Sequence, residues 1–307
     1  MFFYFKLVKS ASSSPPGLRQ FGEEVRGRYI LSRWLADCEA KKIFTRTKSI
    51  VKRAIPRKYH YVLGRYADWG LSLLYHGHQF ICPICGGHFR KFLPFGVKPR
   101  PNAQCPRCGS LERHRLLWLY LRDRTNFFTG NLKVLEIGPM DCLQRKFRAM
   151  PNLDYISVDL ESPIAMLKMD VTDLQFPDDC FNCTICYHVL EHVSDDKKAM
   201  AEIFRVLKPG GWAILQVPIL RDKTFEDPSV KTPKDREKIF GQHDHVRAYG
   251  LDYKHRLKSA GFSVKVDDYV TQLGDDAIGR YGLMKNEDIY FCSKPNSKRN
   301  KPRRKNN

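Results

Sequence analysis

The sequence predicts an α/β fold, a parallel sheet with helices on both faces, preceded by a small metal-binding module. Three observations carry that expectation. Short apolar runs at 133–137, 155–159, 166–169, 182–187 and 212–217 interleave with helical periodicity at 141–149 and 195–206, as strands buried on both faces do. The first run, Lys133-Val134-Leu135-Glu136-Ile137-Gly138, ends in an acid and a glycine where a strand turns toward a helix. The next run ends in Asp159. Ahead of both stand two Cys-x-x-Cys pairs.

With 307 residues, the chain is long enough for one large domain and a small one. No apolar run approaches the roughly 18 residues of a membrane span. Met1 to Lys9 is apolar but interrupted by Lys6 and Lys9, short of the about 7–15 unbroken residues of a secretory h-region, so no signal peptide is expected. That stretch suits at most a weak membrane-surface contact. The net charge of +20 is uneven: residues 1–110 carry 20 basic and 5 acidic groups, 111–293 carry 26 and 28, and 294–307 carry 7 and none. A near-neutral body with basic ends suits a polyanionic partner, RNA or anionic lipid, or else is simply solvated. The ten cysteines include two pairs and six scattered residues, and without a leader the expected compartment is the reducing cytoplasm. Nothing in the chain speaks to oligomeric state.

Residues 1–78 read as a basic, partly helical and partly disordered extension. Ser10 to Gly17 has loop composition, and Lys41, Lys42, Arg46, Lys48, Lys52, Arg53, Arg57 and Lys58 form a basic stripe near Tyr59 and Tyr61. A solvated helix face explains that stripe as well as a nucleic-acid grip does. Residues 79–110 read as a zinc ribbon. Cys82 and Cys85, then Cys105 and Cys108 after 19 intervening residues, each pair followed by glycine, supply four thiolates for a closed structural Zn²⁺ site at about 2.3 Å per bond. Ser110 is expected to cap a helix with Glu112 in its first turn, and Arg113, His114 and Arg115 fall early on that helix, expected at the surface or else facing the acceptor cleft. This helix joins the ribbon to a domain at 111–293 without a flexible linker, so the two should pack together. A helix at 250–261 ending at Gly261, strands near 262–267 and 288–293, and a disordered basic tail at 294–307 complete the chain. Cys180, Cys183 and Cys186 have a spacing seen in iron–sulfur ligation, but strand alternation sends Cys183 and Cys186 to opposite faces, so they read as packing residues.

Taken together, the acid–glycine turn at Glu136 and Gly138, Asp159 at the end of the second strand, the segment Val189-Leu190-Glu191-His192-Val193 and the turn Leu207-Lys208-Pro209-Gly210-Gly211 resemble the Rossmann-like core of class I S-adenosylmethionine-dependent methyltransferases of type 11. The span 80–293 is also similar to a bacterial group that joins a Cys-Pro-x-Cys ribbon to this core. The resemblance implies that Glu136 orients the glycine turn and the methionyl ammonium, and that Gly138 admits backbone close to S-adenosylmethionine. It further implies that Asp159 accepts from the ribose hydroxyls, Leu160 lies against adenine, Asp170 and Val171 flank it, and His188 sits under the methyl-transfer end. One departure stands out. The family pattern has three glycines, where this chain has Gly138-Pro139-Met140-Asp141-Cys142.

Methyl transfer needs nucleophile, carbon and sulfur in line, and a base if the nucleophile carries a proton. Glu226, Asp227, His243, Asp244, His245, Arg247 and Tyr249 gather in a loop-like stretch that, in the similar group, caps the cleft. His245 is the first candidate for the base, with Asp244 orienting it and Arg247 gripping an anionic acceptor. A structural hydrogen-bonded loop is the plain alternative. No metal is expected at His243, Asp244 and His245, because a sulfonium donor needs no Lewis acid. The leading function is methyl transfer from S-adenosylmethionine to a small molecule or glycan precursor. The alternatives are an RNA methyltransferase gripping RNA through the ribbon and basic ends, and a non-catalytic zinc-ribbon protein with a relict core.

Overall fold

The structure, a computed structural model, describes residues 70–96 and 98–296. The basic stripe, Tyr59, Tyr61 and residues 297–307 lie outside them. The first described strands are β1 (His76–Ile81) and β2 (His88–Phe89), an antiparallel pair with the first cysteine knuckle at its turn. The next pair, β3 (Leu93–Phe95) and β4 (Arg100–Gln104), leads into the second knuckle. β1 crosses the boundary expected at 78/79.

Helix α1 (Glu112–Arg124) follows at once. Its N-cap is Leu111 rather than Ser110, and the Leu111 N–H donates to His114 Nδ1 at 3.3 Å. Ser110 is diverted: its hydroxyl lies 3.3 Å from Cys82 Sγ and 3.2 Å from Cys108 Sγ. The Cys108 thiol donates to this hydroxyl, which thus serves the cysteine knuckles instead of the helix end. Arg115 is not at the surface either. It is fully buried and donates to Ala103 O, Ser110 O, Tyr281 O and Gly282 O. His114 is buried as well. The apolar cluster under α1 runs without a break from Phe80, Phe89 and Phe92 of the cysteine module to Val134, Ile185 and Ile214 of the sheet, so the module is part of the main core.

The main sheet has seven strands: β5 (Leu132–Ile137), β6 (Leu153–Asp159), β7 (Leu167–Lys168), β8 (Phe181–Tyr187), β9 (Leu207–Gln216), β13 (Ser263–Asp267) and β14 (Ile289–Ser293). Their order is β13-β14-β9-β8-β5-β6-β7. The five strands from β5 to β9 are parallel, and β14 runs antiparallel to both β9 and β13. The chain winds outward from β5 through β6 to β7 and then returns to β8 on the other side of β5. That reversal opens a crevice at the carboxyl ends of β5 and β8. This order, with its one reversed strand, is the class I methyltransferase sheet.

Side chains alternate across the sheet. Val134, Cys183, Ile185 and Ile214 pack on one face, beneath α1 and α2 (Asp141–Phe147). Leu135, Ile137, Cys186, Ala213 and Leu215 pack on the other, beneath α3 (Asp196–Val206) and later α5 (Tyr253–Ser259). Asp195 caps α3, accepting from Lys198 N at 2.9 Å. The stretch expected as a loop before α5 instead folds as a three-stranded sheet, β10 (Ile219–Arg221), β12 (Arg247–Gly250) and β11 (Phe225–Glu226), with α4 (Pro233–Phe240) between. Thr232 caps α4 ahead of Pro233, and Gly241 at φ +92° ends it. Two short helices, α6 (Tyr269–Gln272) and α7 (Gly274–Tyr281), precede β14. Lys294, the first residue of the tail expected at 294–307, is instead anchored to the sheet. Lys294 Nζ donates to Asp179 Oδ1, Phe204 O and Arg205 O, and its backbone pairs with Gly210 and Gly211.

Candidate active site

The crevice at the switch point is a cleft of about 730 Å³ lined by Gly138, Pro139, Asp159, Leu160, Asp170, Val171, His188 and His192, among others. The β5–α2 turn shapes one wall. Gly138 has φ +69°, and a Cβ there would stand 2.4 Å from Val189 Cγ2. One glycine is enough for this turn, because Met140 already begins the entry to α2. Cys142, at a position where the family pattern has glycine, is buried against α1, 3.5 Å from His114 Nδ1.

Glu136 sits behind the turn rather than on the cleft wall. It is fully buried, accepts from Met140 N at 3.3 Å and from Tyr155 OH, and burial pushes its carboxyl up to about 7. Each of its carboxylate oxygens thus has a partner behind the turn, and Glu136 is not among the residues that line the cleft. Asp159 Oδ1 accepts from Glu161 N at 2.8 Å and Ser162 N at 2.7 Å, while Oδ2 points toward the Gly138 turn. Asp170 Oδ1 likewise orders its own loop, accepting from Thr172 N and Oγ1. Val171 is buried, whereas Leu160 is an exposed apolar side chain on the cleft. The cofactor candidates other than Glu136 therefore share one cavity.

A second cavity of about 600 Å³ adjoins the first and is lined by Arg100, Arg113, Gln216, His245, Glu287 and Tyr290, among others. His188 and His192 line both cavities. His188 follows β8 at φ +58°, a left-handed conformation costly for a non-glycine residue. Its N–H donates to Gln216 O, and its Nδ1 lies 3.1 Å from Glu191 Oε1. Its Nε2 is buried with no hydrogen-bond partner among the described residues. Glu191 is almost fully buried, and the His188 partner holds its carboxyl below the usual range against the opposing effect of burial.

The expected catalytic trio is arranged differently. Asp244 Oδ2 pairs with His192 Nδ1 at 3.3 Å, not with His245. His245 is buried on the second cavity, with Nδ1 3.2 Å from Phe240 O, and burial lowers its pKa. Arg247 lies outside both cavities. Its guanidinium is buried and donates to Leu190 O, Val193 O and Ser194 O, so it grips the backbone of the 188–194 turn rather than an acceptor. Glu226 and Tyr249 belong to the same support, pairing with Arg256 and Asp196 respectively. The sequence reading missed the His192–Asp244 pair. The i, i+3, i+4 spacing of His188, Glu191 and His192 was the available signal.

The four candidate zinc ligands meet. Cys82, Cys85, Cys105 and Cys108 place their sulfurs within 4.8 Å of one another. Two of the contacts, Cys82–Cys108 and Cys85–Cys105, are 3.6 and 3.7 Å. A tetrahedral ion with about 2.3 Å bonds sets its sulfurs about 3.8 Å apart, so the spacing fits zinc. Gly86 at φ +67° and Gly109 at φ +72° close the knuckles, donating to Cys82 O and Cys105 O. Hydrogen bonds from Cys105 and Cys108 hold the Cys82 and Cys85 thiols below the ordinary range.

Residues 142–215 match the model of a family described as "Methyltransferase domain". Ajmaline N-methyltransferase of Rauvolfia serpentina is 30% identical over 77 residues, 25% of this chain and 26% of that protein. The ubiquinone/menaquinone biosynthesis C-methyltransferase UbiE of Francisella tularensis subsp. novicida is 29% identical over 118 residues, 36% of this chain and 42% of that one. The matches thus span less than half of these relatives. Among solved structures, the S-adenosylmethionine-dependent methyltransferase of Mesorhizobium loti superposes with a TM-score of 0.41 at 15% identity, over 57% of this chain and 95% of that one.

Proposed function

We propose that the chain is an S-adenosylmethionine-dependent methyltransferase whose acceptor is a small molecule held in the second cavity. The observation that carries this reading is the pair of adjoining cavities sharing His188 and His192, a donor site and an acceptor site with a common wall. When bound, S-adenosylmethionine supplies an electrophilic sulfonium methyl. The chain's own residues do the rest. Asp159 offers Oδ2 to a ribose, Leu160 and Val171 take the adenine faces, and Asp170 flanks them. The single glycine at 138 lets the backbone approach.

For proton removal we favour His188 over His245. Both present Nε2, but only His188 lies on both cavities, and its Nε2 has no partner among the described residues. Glu191 fixes its Nδ1–H, leaving a lone pair on Nε2. A second cavity of about 600 Å³ suits a small molecule rather than a polymer. The thiolate site is proposed to hold a structural Zn²⁺ through Cys82, Cys85, Cys105 and Cys108, with all four positions filled by protein.

Titration calorimetry with S-adenosylmethionine tests this reading. One binding site per chain is expected in the wild type, and none in Asp159→Ala. A flat titration with folded wild-type protein overturns the reading, and unchanged affinity in Asp159→Ala overturns the ribose contact.

A further inference from the structure

We propose that Glu191, His192 and His245 form a binding site for a divalent transition-metal ion at the wall between the two cavities. One ligand atom from each lies within 4.8 Å of the other two. The hydrogen bonds of the far ring atoms favour Nε2 as the ligating atom of each histidine. His245 Nδ1 faces the Phe240 carbonyl, which can only accept, so Nδ1 carries the proton and Nε2 presents a lone pair. His192 Nδ1 faces the Asp244 carboxylate and is protonated for the same reason. A carboxylate or carbonyl behind the far nitrogen is the arrangement that orients a histidine for a metal.

Glu191 completes the set. Its Oε1 is taken by His188, while Oε2 is buried and has no hydrogen-bond partner among the described residues. Such an oxygen loses its hydration with nothing in return. With Nδ1 protonated on both rings, a neutral imidazole presents only a lone pair to Oε2, and a cation held among the three groups satisfies all of them at once. Two imidazoles and one carboxylate favour Mn²⁺, Fe²⁺, Co²⁺ or Zn²⁺ over the all-oxygen shells of Ca²⁺ and Mg²⁺. Ligand bonds of about 2.1 Å are shorter than the present spacing implies, so binding draws the side chains together by on the order of an ångström. The supports stand apart from the ion: Arg247 holds the carbonyls of the 190–194 turn, and the Val246 N–H donates to Glu191 O.

Three protein ligands leave coordination positions open toward the second cavity, which His192 and His245 both line. An acceptor bearing a hydroxyl or carboxylate oxygen fills one of them. This second step, the ion as a holder of an oxygen acceptor, rests on the proposed methyltransferase function. The ion site itself does not.

The test is titration of the full chain with Mn²⁺ alone, following loss of the free-ion signal by electron paramagnetic resonance. Mn²⁺ competes poorly for thiolates, so zinc at the cysteine site does not interfere. One Mn²⁺ per chain is expected in the wild type, with affinity weakened about tenfold or more in His192→Ala and in Glu191→Gln. His192 lies on a partly exposed turn, so its variant stays folded, and circular dichroism checks both. No uptake by the wild type, or equal uptake by folded His192→Ala, overturns the site in favour of a hydrogen-bonded cluster. Calorimetry with S-adenosylmethionine on the same samples separates the two readings: cofactor binding without Mn²⁺ uptake sinks only the metal site, and the reverse sinks only the methyltransferase reading.

Discussion

Arg115 donates from Nε to the carbonyl of Tyr281 at 2.7 Å, joining the helix after the cysteine module to the end of α7, 166 residues away in sequence. The same guanidinium also reaches Gly282 O, Ala103 O and Ser110 O. Burial lowers its pKa, but it stays charged at any ordinary pH. Arg115→Lys cannot span four carbonyls, so it leaves acceptors unpaired and costs about 3 kcal/mol in urea unfolding. Unchanged stability would show that water replaces the fork.

Gly138 is held to glycine by contact as well as by conformation. Gly138→Ala brings a Cβ against Val189 and a side chain to φ +69°, so affinity for S-adenosylmethionine should fall by about tenfold or more. Gly138→Ala with Val189→Ala relieves the contact but not the backbone strain, and should recover part of the loss. No recovery would assign the whole effect to φ.

Glu136 gives a pH signature. Its carboxyl is raised from 4.5 to about 7 by burial, so the folded state holds a proton that the unfolded chain releases. Its contribution is complete below pH 4.5 and is lost as pH rises through about 7, a fall on the order of 3 kcal/mol. Glu136→Gln keeps an acceptor for Met140 N and does not titrate. The stability difference between variant and wild type should therefore grow in the variant's favour from pH 4.5 to 7. Parallel curves from denaturant melts would refute the raised pKa.

Metal analysis of the purified chain should find one tightly held zinc. Cys105→Ser should lose it and, because the cysteine module shares the main core, lower the stability of the whole domain rather than of the ribbon alone. A domain that melts unchanged without zinc would sever that link.

The sheet was legible because its central strands are buried on both faces and so read as short continuous apolar runs. Observed β5, β6, β8 and β14 depart from the expected limits by no more than two residues. The small sheet of β10, β11 and β12 was not legible, since strands of two to four residues carry no readable period. That Gly138, Asp159 and Asp170 would share one cleft was readable because residues at the carboxyl ends of neighbouring parallel strands converge. The catalytic trio was not. Arg247 beside two histidines and an acid reads as a grip for an anionic acceptor, and only the folded chain brings three backbone carbonyls to it. Ser110 likewise has the identity of a helix cap, and only the fold sets two thiols closer to its hydroxyl than the helix end.

The alternation of Cys183 and Cys186 has a practical consequence. One thiol lies in each half of the core, both fully buried on a single strand, and burial pushes both pKa values up. Each is therefore silent to alkylating reagents until its own layer parts from the sheet. Pulse labelling read by mass spectrometry would time the two partings separately, from two atoms three residues apart. Equal rates would mean that the layers open together, and unequal rates would name the layer that leaves first.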